Sequence, residues 1–151
     1  MKNKLVAAIV VALVTFAFVG CSKDDDNPTS DKGVLKVTVT AEGYTGEGGS
    51  TMSAQVIGSS AQGPTLWKVN GAAGTSGQSI YDLNKEYFAG GKTATFESTS
   101  SYLAASVTIS AAAFTQPFKL VYKIEQGGRV IVEQTKDILP DTTPTVLSFQ
   151  Y

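Results

Sequence analysis

From Gly33 onward the chain alternates between apolar and polar residues. Leu35, Val37 and Val39 are separated by Lys36 and Thr38, and a period of two places such residues on one side of a β-strand. Thr51 to Ile57 reads as a second strand, reached through a glycine-rich connection that passes Tyr44 and Glu47. Leu66-Trp67-Lys68-Val69 reads as a short third strand, with Trp67 in the core and the Asn70-Gly71 turn signal closing it. Ala72 to Gln78 is small and flexible in composition, and Tyr81 to Phe88 admits either a helical turn or an irregular loop. Strand patterns then resume at Thr93 to Ser98, Tyr102 to Ile109, Phe118 to Glu125, Arg129 to Thr135 and Thr145 to Tyr151. No long segment has a helical period. About seven short strands separated by turns predict an all-β fold, a single antiparallel β-sandwich over residues 33–151.

The glycine pair at 127 and 128 allows two hairpins. A two-residue loop would set Tyr122 opposite Glu133 and mix apolar with charged residues on one face. A three-residue loop, Gln126-Gly127-Gly128, pairs Glu125 with Arg129. It groups Phe118, Leu120, Tyr122, Ile124, Val130 and Val132 on one face, with Lys119, Lys123, Glu125, Arg129 and Glu133 on the other. A slip of one residue exchanges the faces of a strand, so the cleaner segregation predicts the three-residue loop. The segregation also implies one wet face, as antiparallel sheets allow. The final pattern, with Leu147, Phe149 and Tyr151 on one side, is expected to zip into a sheet and complete the core.

The N-terminal pattern is different. Lys2 and Lys4 precede an apolar run from Leu5 to Val19, about fifteen residues with Thr15 as its one polar member, which ends at Gly20-Cys21. A span across a bilayer needs roughly twenty, whereas a basic start, a short apolar run and a small residue before a junction describe a cleaved export signal over residues 1–20. The junction resembles that of bacterial lipoproteins, which implies acylation of Cys21 and a membrane anchor. Phe18 departs from the leucine usual in that family; Gly20 fits it. Two or more acyl chains hold a protein firmly on a membrane, where one binds reversibly.

The residues after the junction, Ser22-Lys23-Asp24-Asp25-Asp26, resemble the acidic export tag of surface lipoproteins in Bacteroidota. The resemblance implies an outer-membrane protein facing the cell exterior. Residues 21–32 then form the lipidated cysteine and an acidic, flexible tether that includes Pro28. The domain layout is similar to the Ig-like or fibronectin-like sandwiches of such proteins, and that similarity carries no site residues with it.

Composition narrows the chemistry. The chain has 12 basic and 13 acidic residues, no histidine and one cysteine. Loss of Lys2 and Lys4 with the signal leaves a mature charge near −3. Without a basic patch, nucleic acid is not an expected partner. The lack of histidine excludes Ser–His and Cys–His nucleophile pairs and removes the commonest ligand of transition metals. No phosphate-cradling glycine motif is present. No catalytic residue, metal or cofactor is expected, and scattered acids such as Glu97 and Glu133 do not form a recognisable carboxylate pair.

Recognition is the remaining class of function, with a protein or a glycan as partner. Sugar rings stack on aromatic faces, and loops on a rigid sandwich carry such sites. Tyr81, Asp82, Asn84 and Tyr87 are the preferred ligand-binding residues; Tyr44 and Glu86 are further candidates, as is Trp67, whose strand pattern favours the core. The spacing of Asp82, Asn84 and Glu86 is reminiscent of calcium ligation but lacks the acidic density of a calcium loop. Asp141-Thr142-Thr143 resembles the short O-glycosylation sequon of Bacteroidota, which places a glycan on Thr142. The expected function is a non-catalytic cell-surface lipoprotein whose sandwich serves recognition or structure, with glycan binding for polysaccharide uptake as the alternative.

Overall fold

The computed structural model describes residues 32–61, 63–64, 67–75 and 77–151. The expected export signal and the acidic run, with Cys21, Lys23, Asp24, Asp25 and Asp26, lie outside the described residues. The strands are β1 (Leu35–Glu42), β2 (Thr51–Ser60), β3 (Gly63–Pro64), β4 (Trp67–Val69), β5 (Ala72–Ala73) and β6 (Ile80–Leu83). After one helical turn, α1 (Lys85–Phe88), come β7 (Thr93–Ser98), β8 (Ala104–Ala112), β9 (Phe118–Gln126), β10 (Arg129–Ile138) and β11 (Thr145–Gln150). They form a six-stranded sheet in the order β10-β9-β1-β7-β4-β5 and a five-stranded sheet in which β11-β8-β2-β3 is joined by β6, also on β2. The strand ladders are antiparallel. The predicted antiparallel sandwich is the fold.

Period-two alternation builds the core between the sheets. Leu35, Val37, Val39 and Ala41 of β1 are fully buried, and β9 contributes Leu120, Tyr122 and Ile124 beside them. The other sheet answers with Met52, Ala54 and Val56 of β2 and with Val107 and Ile109 of β8. Each of the valine, leucine, isoleucine and methionine side chains among them contributes about 1.5–3 kcal/mol on burial. Trp67 is fully buried, as its place in a strand pattern predicts.

The strand count exceeds seven for a physical reason. β3 and β5 have two residues each and owe their extension to their ladder partners. Ile80 to Leu83, read from sequence as part of a helical turn or loop, is instead strand β6, paired with β2 from Ala54–Leu83 to Ile57–Ile80. Only Lys85–Phe88 takes the helical turn. The strand from Tyr102 begins two residues later, at Ala104, while Tyr102 itself is buried ahead of it.

The β9–β10 hairpin corrects the predicted loop. Arg129 faces Gln126 and Val130 faces Glu125, so the turn has two residues, with Gly127 at φ 55 and Gly128 at φ 79. Both values lie in the left-handed region that such a tight hairpin turn demands. The register then shifts between Val130 and Val132, after which Val132 faces Ile124 and Glu133 faces Lys123. Ile131 is thus a bulge. The predicted segregation of faces holds from Val132 onward, through a bulge in place of a longer loop. Arg129 and Val130 are the exceptions: Arg129 faces Gln126, on the side of Ile124, and Val130 stands on the wet face beside Glu125, 51% exposed.

Candidate functional site

The side chains predicted for ligand binding lie on β6, α1 and their junction. Asn84 caps the helical turn, its Oδ1 accepting from the Tyr87 N–H at 3.4 Å. The Tyr87 hydroxyl donates to the Thr93 carbonyl at 2.6 Å and accepts from Asn70 Nδ2 at 2.8 Å. Its ring meets the buried Phe88 edge-on at 5.2 Å, and Lys92 Nζ lies 5.9 Å from the ring centre. Tyr87 therefore ties α1 to β7 and to the Asn70-Gly71 turn. Tyr81 is occupied similarly: its hydroxyl donates to the Thr75 carbonyl at 3.1 Å, and a Cβ on Gly74 would overlap its ring. Asp82 and Glu86 are exposed, and Glu86 lies 3.9 Å from Lys85.

The other aromatic candidate, Tyr44, belongs to the core. It is 2% exposed, stacks obliquely on Phe118 at 5.0 Å and donates to the Ser50 carbonyl at 3.0 Å. Burial, then the nearby Glu86 carboxylate, raises its phenol pKa above the ordinary value. Thr142 lies on an exposed turn after Asp141, which has φ 59, and its Oγ1 donates to the Leu139 carbonyl at 2.7 Å. Among the described residues, no three acidic side chains gather as a metal-binding group.

The two outer faces have opposite chemistry. Across the six-stranded sheet one row runs Glu125, Lys36, Glu97, Lys68 on β9, β1, β7 and β4. A second row pairs Glu133 with Lys123, and a third joins Asp137, Lys119 and Glu42. Lys123 and Glu125 approach to 3.3 Å, and Lys68 and Glu97 to 4.0 Å. Opposite charges on neighbouring strands support the sheet modestly and keep it wet. In the strands of the five-stranded sheet, by contrast, Asp82 is the one charged residue. Apart from Asp82, the outer surface of this sheet is built of hydroxyls, amides and aliphatic groups.

A groove of about 460 Å³ opens on this uncharged side, lined by Ile57, Ser59, Ser79, Ala104, Ser106 and Gln150. Gln150 Nε2 donates to Ser106 Oγ at 2.9 Å across its floor. Neutral donors and acceptors beside an apolar floor suit a polar, uncharged ligand.

No family model and no curated protein matches this sequence. Solved structures do match in three dimensions. A DUF4425 family protein from Bacteroides ovatus is 14% identical with a TM-score of 0.56, covering 80% of this chain and 94% of that one. A DUF4425 domain of unknown function from Bacteroides vulgatus is 11% identical with a TM-score of 0.57, covering 80% and 94%. A protein from Parabacteroides distasonis, in its calcium-bound form, is 17% identical with a TM-score of 0.59, covering 85% and 98%. The likeness is one of fold.

Two features of the surface escaped sequence reasoning. Asn70 was legible only as a turn residue, yet its side chain also accepts the Thr95 N–H at 2.9 Å and reaches Tyr87. The uncharged groove joins β2, β8 and β11, strands far apart in the chain. The absence of charge in each of those strands was the available signal.

Proposed function

We propose that this chain is a lipid-anchored protein of the outer envelope that holds one non-catalytic β-sandwich outside the cell for recognition or structure. The observation that carries this reading is the Gly20-Cys21 junction, followed after Ser22-Lys23 by Asp24-Asp25-Asp26 and then by a sandwich whose first strand starts at Leu35. The Bacteroides and Parabacteroides origin of the structural neighbours agrees with the resemblance of the acidic run to an export tag. Protease treatment of intact cells tests the outward orientation. The native protein should be digested, and changing Asp24, Asp25 and Asp26 together to alanine should protect it; unchanged digestion would refute the tag.

The groove supports glycan binding as a second reading, because Ser59, Ser106 and Gln150 offer hydroxyl and amide partners with no fixed charge to desolvate. This reading moves the site from Tyr81 and Tyr87 to the uncharged sheet. A glycan array probed with the native domain and with Gln150→Ala tests it. Signals that vanish in the variant support the groove, and identical patterns dismiss it.

A further inference from the structure

The flank of the sandwich between β10 and β11 is open. Tyr122 of β9 packs on Phe149 of β11, with ring centres 5.8 Å apart, so β11 lies across from β9 and the six-stranded sheet extends one strand farther, through β10. The exposure of β10 shows the overhang directly. Gln134 and Lys136 face inward, opposite the buried Tyr122 and Leu120, yet both are exposed, and Val132 beside them is half-buried. Across the opening, Leu147 and Phe149 of β11 are only partly covered.

The edge of β11 is also chemically open. Tyr151 and Ala105 exchange backbone bonds at 2.9 and 3.0 Å. In an antiparallel ladder, reciprocal pairs alternate with open ones, so the N–H and C=O groups of Val146, Ser148 and Gln150 point away from β8. Other edges of the two sheets are guarded. β10 carries the Ile131 bulge and charges at Arg129, Glu133, Lys136 and Asp137; β3 and β5 are two residues long; β6 is four residues long and carries Asp82. β11 has six residues with no charge, no proline and no register shift. Long, straight, uncharged edges are templates for a further strand.

We propose that the β11 edge and the overhanging inner face of β10 together dock one extended strand from a partner protein. That strand has apolar side chains on its inward side and a carboxylate that meets Lys136. Val132, Leu147 and Phe149 supply the apolar surface, and Lys136 takes part in none of the ion pairs found among the described residues. A second copy seated by the same edge is disfavoured. Its own β9 and β10 would enter the space that β10 already fills, whereas a lone strand lies over β10 without obstruction.

The inference builds on the reading of the domain as a recognition module, but its test is separate, because it uses the purified domain and leaves anchoring and orientation aside. The probes are the heptapeptide Thr-Val-Leu-Ser-Phe-Gln-Tyr, counterparts with glutamate or its neutral isostere glutamine at the third or fifth position, and a backbone-methylated form that cannot pair. Amide exchange followed by NMR should slow at Val146, Ser148 and Gln150 with the unmethylated parent peptide and not with the methylated one. One glutamate peptide should bind about two- to fivefold more tightly than its glutamine counterpart, as a single ion pair allows, and Lys136→Ala should erase that gain. Ser148→Pro removes an outward-pointing N–H without touching the β8 ladder and should abolish binding; if that variant does not fold, Lys136→Ala still decides the charge contact. Unchanged exchange at the three residues would overturn the proposal. So would a dimer in sedimentation that Ser148→Pro dissolves, because the occupant would then be a second copy.

Discussion

At the scale of the residue, burial governs the aromatics. Trp67 is fully enclosed, and its Nε1 has no hydrogen-bond partner among the described residues. Trp67→Ala should cost about 3–5 kcal/mol through the cavity it leaves. Trp67→Phe should cost clearly less, since it keeps most of the ring volume and the donor it removes makes no bond among the described residues; equal losses in urea denaturation would contradict this. The phenols lead to a pH dependence. Burial raises the pKa of Tyr102 and Tyr122; burial and then the neighbouring Tyr102 raise that of Tyr151. A raised folded value favours the neutral phenol in the native state, so this stabilisation is complete below the ordinary value of 10.0 and is lost as pH rises through the folded values. Denaturation midpoints should fall above about pH 10 while tyrosinate absorbance develops late. Rising stability over that range would show the opposite shift. Core membership of Trp67 was legible because strand alternation decides it. The bonds of Tyr87 to Asn70 and Thr93 were not, because they join three segments that meet only in the fold.

At the scale of the element, the hairpin shows what a pattern can and cannot specify. Which residues of β9 face the core follows from alternation alone, and Phe118, Leu120, Tyr122 and Ile124 are all buried. How β10 reaches the same arrangement does not follow, since a three-residue loop and a two-residue turn with a bulge leave the same faces together beyond Val132. The freedom of two consecutive glycines to enter the left-handed region decides for the tight turn. Deleting Ile131 should therefore preserve the pairing of Val132 with Ile124 and change stability by only about 1 kcal/mol, because it removes an exposed bulge residue. It should also make the β10 edge straighter and more prone to associate. Cross-strand NOEs linking Glu133 with Ile124 would contradict that register. β6 was hidden for a related reason. It is a short edge strand, and its extension comes from pairing with β2 more than from its own residues.

At the scale of the molecule, the sandwich separates a charged face from an uncharged one and leaves one flank open. The alternating Glu and Lys rows keep the six-stranded sheet solvated, whereas the strands of the other sheet carry Asp82 alone as a charge. This asymmetry needs the strand order, which no local pattern specifies. The proposed anchor is legible in the first 26 residues without any fold. Anchoring and orientation both depend on Cys21 becoming the lipidated first residue of the mature protein, as proposed. Intact mass spectrometry of the protein extracted from membranes tests it most directly. The account predicts a chain that begins at Cys21 and carries acyl chains there, with Cys21→Ser releasing the unprocessed or unacylated form. A membrane-extracted chain that retains residues 1–20, or one that begins at Cys21 without lipid, would contradict it.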